Sequence, residues 1–538
     1  MSSFTDLTDF LFGGAVPLPS KLTLSAPVRS LPAAPGEAAS RDATEDESPE
    51  RRAAMQHAQS SSRRRIFGLC LILCGCLFFA GYGYYQQTRY AVSYDFKTVY
   101  VGALCMIDGC DPYDAAQTEQ AYLRHGADRP DPMPIRPYYT SYLPSAIFLV
   151  APLALLPFGT ARVAWLSLGT ALFGCAALCI GDLCAGRQAL RTQAVLAVFV
   201  ASSTLLVMLG QPAMYAISLA VIAVWSFLRR RLLVLGVLAF ALSLILKPHL
   251  AGLLWLFFLL SPGGGQALAA DPLRPEEPTA NPRTTPPVSW RRLALYTLGV
   301  ALVLMMPGVL LAFHHPASAH WPQELQRNLE RLARPGGPNN PGPRSGQGIA
   351  DLQPLFALLR DSPRFYNLAA LATFSGLLLM WLLLLKRQTG AASTAGPYRR
   401  GESLAASDAD LMALAAVTAL SFLPIYHQQY DTRLLLLIFP AVAVLASRYR
   451  RLGRAALALS ALATVTLSHP FVRLNTRLVT HLGDWLTRQG VAPHPSLLLA
   501  FDRPLPVTLL LLSGFFLYAT FRVAAEDAPD GQAPAGNP

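Results

Sequence analysis

The chain has 538 residues, 53% of them hydrophobic and only 14% charged, with a mean hydropathy of +0.36. This is more apolar surface than one soluble core can bury, so it excludes a soluble enzyme carrying a membrane tail and points to lipid as the solvent. The net charge of +12 is gathered in short basic clusters beside apolar runs, with no stripe interleaved with aromatics, which reads as membrane topology and excludes nucleic-acid binding.

Residues 1–62 are rich in Ser, Pro, Ala and mixed charge, and no cleavable signal peptide precedes the first apolar run. They are expected to form a disordered cytoplasmic tail, followed by a transmembrane domain over 63–525 and a second disordered tail over 526–538. Apolar runs at 66–85, 163–180, 194–208, 293–313, 368–385, 411–423, 434–446, 455–467 and 505–520 approach the roughly 20 residues that cross a bilayer as a helix. Two further runs, 232–246 and 250–260, form an outward and a returning pass.

Basic clusters set the orientation. Arg63-Arg64-Arg65, Arg229-Arg230-Arg231, Arg291-Arg292, Lys386-Arg387 and the run from Arg448 to Arg454 are placed in the cytoplasm. Alternation then puts about 88–140, 314–366, 469–503 and the turn from Tyr426 to Asp431 outside, with 262–292, 387–408 and 447–454 inside. Thirteen apolar runs between two cytoplasmic ends leave one that does not cross. The segment 143–158, short and containing Pro144, Pro152 and Pro157, is the expected exception, a broken or re-entrant element. The predicted fold class is an all-α polytopic membrane protein with about 12 transmembrane helices and a long first external loop.

Of eight cysteines, Cys70, Cys74, Cys76, Cys175, Cys179 and Cys184 lie in or beside membrane helices and serve as small hydrophobes. Cys105 and Cys110 fall in the external loop, where an oxidising compartment permits a disulfide; pairing and two free thiols both fit.

Chemistry-bearing residues crowd the first external loop: Tyr94-Asp95-Phe96, Tyr100, Asp108 to Asp114, Arg136-Pro137-Tyr138-Tyr139 and Tyr142. Carboxylates suit general-base work on a hydroxyl, and aromatic faces suit sugar rings at a membrane surface. The same residues also fit a solvated loop in which Asp111-Pro112-Tyr113-Asp114 is turn chemistry and the tyrosines are an interfacial belt. Lys247, one of four lysines, stands at the outer end of a membrane helix, where it is either functional or snorkelling. His427 and Asp431 share a short external turn and form either part of a site or a structural pair. Gln211 either closes a turn or reaches a cavity. His314, His315 and His320 lack a carboxylate or cysteine partner at a metal-binding spacing, so no metal is expected.

The order of these motifs resembles glycosyltransferase family 87. The resemblance is carried by Asp95-Phe96 with Tyr100, Gly109, Asp111 to Asp114, Tyr142-Leu143-Pro144, Pro152 to Pro157 and Trp165. It continues through Gly210-Gln211-Pro212, the arginines at 229–231 and Lys247-Pro248-His249, and ends with Tyr426-His427-Gln428-Gln429-Tyr430-Asp431 before a Leu-rich run. The chain departs from the family at Leu143, where members commonly show Tyr-Pro-Pro.

The resemblance implies a GT-C-type fold and an enzyme transferring a single sugar, mannose being the family's best-known case. The donor would be a polyprenyl-phosphate sugar and the acceptor a glycan or glycolipid, on the external face of the cell (inner) membrane. It implies inversion with Asp95 as general base, no cofactor, and substrate-binding roles for Tyr100, Asp111, Tyr113, Asp114, Tyr142, Gln211, Lys247, His249, His427, Asp431 and Arg433. A transporter or flippase of lipid-linked sugars is one competing reading. A glycan ligase or polymerase, favoured by Arg327, Arg331, Arg334 and Arg344, is the other.

Overall fold

A computed structural model describes residues 49–90, 93–125, 140–184, 190–261, 288–342, 346–394, 407–424, 427–489 and 503–526. The chain divides into two compact units, Met1–Ala58 and Gln59–Pro538, and the architecture below belongs to the second, apart from the start of its first helix. Arg136 to Tyr139, Arg344 and Tyr426 fall outside the described residues.

Helices α1 (Pro49–Tyr90), α2 (Tyr94–Asp108), α3 (Ala115–Arg124), α4 (Pro144–Ala154), α5 (Phe158–Leu183), α6 (Leu190–Ala201) and α7 (Leu205–Leu209) build the first part. Then follow α8 (Ala213–Arg229), α9 (Leu233–Leu246), α10 (Pro248–Leu260), α11 (Trp290–His314), α12 (Trp321–Ala333), α13 (Gln353–Leu359) and α14 (Pro363–Thr394). The last part is α15 (Asp408–Leu420), a 3₁₀ helix over Gln429–Ile438, α16 (Phe439–Arg448), α17 (Arg450–Thr466), α18 (His469–Arg488) and α19 (Pro504–Glu526). Among the described residues the sole extended pairing is one antiparallel bridge between Ile349 and Gln428.

Among the described residues, seven helical stretches are long and apolar enough to cross a membrane, which makes the chain a multi-pass α-helical membrane protein. They are Ser62–Arg89, Phe158–Leu183, Leu190–Leu209, Trp290–His314, Pro363–Gln388, Gln429–Arg448 and Pro504–Ala525. An eighth would be α17 with α18, bent by 71°. The twelve predicted from apolar runs exceed this because α8, α9, α10 and α15 have only 17, 14, 13 and 13 residues. Such helices stop short of the length a lipid-exposed span needs.

Several expectations change. The helix of α1 starts at Pro49, inside the segment 1–62 for which no structure is expected. The stretch Glu50-Arg51-Arg52-Ala53-Ala54-Met55-Gln56 consists of good helix formers that extend an apolar helix already nucleated. The external segments are largely helical as well: α2 and α3 occupy much of 88–140, α12 and α13 part of 314–366, and α18 most of the described part of 469–503. In α18, Leu474, Leu478, Leu482 and Trp485 form an exposed apolar stripe beside Arg473 and Arg477, the pattern of a helix lying along an interface. The segment 143–158 folds as α4, 11 residues with Pro152 inside, a turn, and then Phe158 opening α5. At 1.5 Å per residue, α4 spans roughly 16 Å, about half the hydrocarbon thickness.

Polar contacts separate the two ends of the bundle. At one end Asp182 accepts from Arg229 Nε at 2.8 Å, Trp225 Nε1 at 3.0 Å and Arg65 Nη2 at 3.4 Å, so two separate arginine clusters meet on one carboxylate. Arg230 donates to the Val288 carbonyl, Ser261 to Asp410 at 3.2 Å, and Arg448 pairs with Asp408. Helix α8 leads from Arg229 at that end to Gln211 and Pro212 at the other, about 25 Å away.

Candidate functional site

The opposite end of α8 is built on a glycine. Gly210 has φ of +63°, and a Cβ there would stand 2.9 Å from the Cβ of Phe96, so only glycine lets the α7–α8 turn approach the start of α2. Trp165 Nε1 donates to the Gly210 carbonyl at 2.9 Å, and Phe96 stacks on Trp165 with ring centroids 5.0 Å apart. Phe158 and Tyr100 complete this aromatic wall, 5.9 and 5.7 Å from Phe96.

The wall holds Asp95 in the first turn of α2, where free backbone N–H groups favour negative charge. Asp95 is half-buried, with the Gln211 side chain as its hydrogen-bond partner and Lys247 and Asp431 within electrostatic reach. Burial pushes its carboxyl up to about 7; Lys247 and the Gln211 hydrogen bond act against that rise, and Asp431 adds to it. A carboxyl so placed releases and accepts protons near neutral pH.

Lys247 owes its position to Pro248. The proline ring bars its predecessor from helical geometry, so Lys247 adopts φ −148° and ψ 82° and separates α9 from α10. Its ammonium donates to Asp431 Oδ1 at 2.8 Å and lies 5.0 Å from the centre of the Tyr430 ring. Both members of this ion pair are buried.

Asp431 is fixed from its own chain too. It closes a capping box with Gln428, whose backbone N–H donates to Oδ2 at 3.1 Å. His427, just before this box, is fully buried. Its ring packs against His249, in the first turn of α10, at 5.0 Å and against Phe422 at 5.3 Å. His427 Nδ1 stands 3.7 Å from Asp431 Oδ2, and neither ring nitrogen makes a hydrogen bond among the described residues. The Ala350 N–H donates to the His427 carbonyl at 2.7 Å, which docks the second external segment onto the turn. Asp351 lies against the same backbone, and burial pushes its carboxyl up to about 7.

Asp95, Gln211, Lys247, His249, His427 and Asp431, spread over 337 positions of sequence, therefore come together at one end of the bundle. The other predicted site residues are engaged elsewhere. Tyr100 donates its hydroxyl to the Leu156 carbonyl at 2.7 Å. Asp111 accepts from the Tyr113 N–H at 2.9 Å, and burial raises its carboxyl. Tyr113 donates to the Tyr142 carbonyl at 2.8 Å and packs on Trp321, while Asp114 caps α3 by accepting from Ala116 and Gln117. Arg433 points away from Asp431, bonding the Leu467 carbonyl at 2.5 Å and Ser202 Oγ at 3.2 Å.

Cys105 and Cys110 are joined by a disulfide. Gly109, with φ of +74°, ends α2 in a left-handed turn, and the Cys110 N–H donates back to the Cys105 carbonyl at 2.9 Å. His315 packs over this turn, and its Nδ1 accepts from the Ala317 N–H at 3.3 Å.

Asp351 and Tyr430 were not singled out from sequence. Tyr430 was visible beside Asp431; Asp351, between Ala350 and Leu352 after a Pro/Gly-rich loop, carries only the weak signal of a carboxylate in a short apolar stretch.

Fold and site together define a multi-pass α-helical membrane protein with a buried ionic cluster where several helices break or begin. Comparison with family models, curated proteins and solved structures finds no match for the chain.

Proposed function

We propose that the chain is a GT-C-type membrane glycosyltransferase that moves a single sugar from a polyprenyl-phosphate donor to a glycan or glycolipid acceptor, with inversion and with Asp95 as general base. The observation that carries this reading is the meeting of Asp95 with the Lys247–Asp431 pair, His249 and His427 at helix ends. A proton acceptor and groups able to receive a phosphate are the two functions such a transfer needs.

In this mechanism an acceptor hydroxyl approaches Asp95, which takes its proton as the oxygen attacks the anomeric carbon. The bond from that carbon to the phosphate oxygen breaks, its electron pair leaves with the polyprenyl phosphate, and the developing charge falls on the Lys247 side of the cluster. The aromatic wall of Phe96, Trp165, Phe158 and Tyr100 backs the start of α2, which carries the base.

Twelve spans are reached when α8, α9, α10, α15 and α17 join the seven long stretches, with α4 as the helix that does not cross. The site lies at the end of α8 opposite the arginine clusters, which under the positive-inside rule supports an external-face location at the cell membrane. The Cys105–Cys110 disulfide in the same part of the chain fits an oxidising compartment.

A transporter or flippase is less well supported, because Lys247 and Asp431 stand at helix ends rather than across the middle of a pathway. Of the arginines that would favour a ligase or polymerase, two are engaged locally: Arg327 pairs with Glu324, and Arg331 bonds Asn328 at 3.3 Å. Incubating the purified chain with polyprenyl-phosphate sugars labelled in the sugar, together with envelope glycolipids, tests the reading. Label in a glycolipid product with inverted anomeric configuration supports it. Passage of intact donor across proteoliposomes without transfer overturns it.

A further inference from the structure

We propose that His249, His427 and Asp431 form a binding site for one divalent transition-metal cation, of the zinc class by its ligand chemistry. One ligand atom from each residue lies within 4.8 Å of the others. Two imidazoles and one carboxylate suit zinc and its first-row neighbours and leave a coordination position open.

The second observation is His427 itself. It is fully buried and neither ring nitrogen makes a hydrogen bond among the described residues, Nδ1 standing 3.7 Å from Asp431 Oδ2, although a buried polar group without a hydrogen bond is costly. A cation between His427, His249 and Asp431 satisfies one nitrogen. Ligand atoms around tetrahedral zinc sit about 3.4 Å apart, so small side-chain rotations close the set.

Lys247 does not fill this position. Its ammonium takes Oδ1 of Asp431, while Oδ2 is the oxygen that faces His427. Asp431 can therefore serve the ammonium and a cation through different oxygens. His249 is only partly buried, whereas His427 and Asp431 are closed off.

Charge balance supplies a reason for the site, and this part rests on the glycosyl-transfer reading. When Asp95 is ionised the cluster holds two carboxylates against one ammonium, so Lys247 receives the donor phosphate against a net negative charge. A divalent cation reverses that balance, and its open position takes a phosphate oxygen.

The test uses the full-length chain in detergent, stripped with a chelator, dialysed against Zn²⁺ or Co²⁺ and assayed for bound metal by mass spectrometry. One equivalent is expected for the native chain, falling at least tenfold in retained metal for His249→Ala/His427→Ala, with His314→Ala/His320→Ala unchanged. X-ray absorption at the zinc edge of the loaded native chain, which needs no variant to fold, is expected to show two imidazole ligands. Failure of the native chain to hold a stoichiometric metal, or a sphere of thiolates or of oxygen alone, overturns the proposal. Sugar transfer is measured on the same samples. Metal binding without transfer upholds the site and removes the glycosyl-transfer reading; transfer unchanged after complete stripping removes the cation's part in phosphate binding and leaves that reading standing.

Discussion

Lys247 Nζ and Asp431 Oδ1 form a buried ion pair at 2.8 Å between residues 184 positions apart, and that pair ties the α9–α10 break to the first turn of the 3₁₀ helix. Removing one partner leaves the other charge buried without compensation. Lys247→Met and Asp431→Asn are each expected to cost about 3–5 kcal/mol, and the double variant less than the sum. Denaturation of the four proteins in one detergent measures the coupling, and simple additivity would show the pair to be energetically idle.

Burial pushes the carboxyl of the half-buried Asp95 up to about 7, and a base works only when ionised. With its carboxyl at about 7, kcat/KM for transfer is expected to rise with pH through that region and level off above it. Gln211→Leu removes a hydrogen bond that lowers the value, so the midpoint should move to higher pH. A midpoint that moves down or stays put in that variant would show that another group controls the rate.

Gly210 carries a backbone conformation and a close contact at once. Gly210→Ala is expected to cost about 1–2 kcal/mol from the left-handed backbone alone, and more because Phe96 must yield. Gly252→Ala, in α10 with open space around it, is the control and should be neutral or stabilising. Apparent melting temperatures of the two variants make the comparison.

The Cys105–Cys110 bridge closes a loop with a sequence separation of 5, for which a chain-entropy estimate gives about 2 kcal/mol. Cys105→Ser/Cys110→Ser should lower the melting temperature accordingly. Thiol counting on the unfolded native chain should find Cys70, Cys74, Cys76, Cys175, Cys179 and Cys184 free and no others.

The long membrane helices were legible because an apolar run of membrane length has few other meanings, and the break at Lys247 was legible from Pro248, whereas the helices α2, α3, α12 and α18 of the external segments were not. The number of crossings was not, since α8, α9 and α10 are as apolar as lipid-facing helices yet shorter than a full span. Asp114 was a readable helix cap, with Ala115 and Ala116 opening α3 behind it, although the resemblance drew it into the site. Arg433 was similarly readable: two positions from Asp431 in a helix, it cannot share a face with it. Convergence of Asp95, Lys247 and His427 depends on long-range packing through Gly210, Phe96 and Trp165, and no local pattern encodes that.

The central claim is that Asp95 is the base for sugar transfer. The measurement that tests it most directly is the single-turnover rate of transfer from a labelled polyprenyl-phosphate sugar by the native chain and by Asp95→Asn, both shown to be folded by melting temperature and an intact disulfide. A loss on the order of 100- to 10,000-fold, with donor binding retained, is the predicted result. Transfer by Asp95→Asn at the native rate would contradict it.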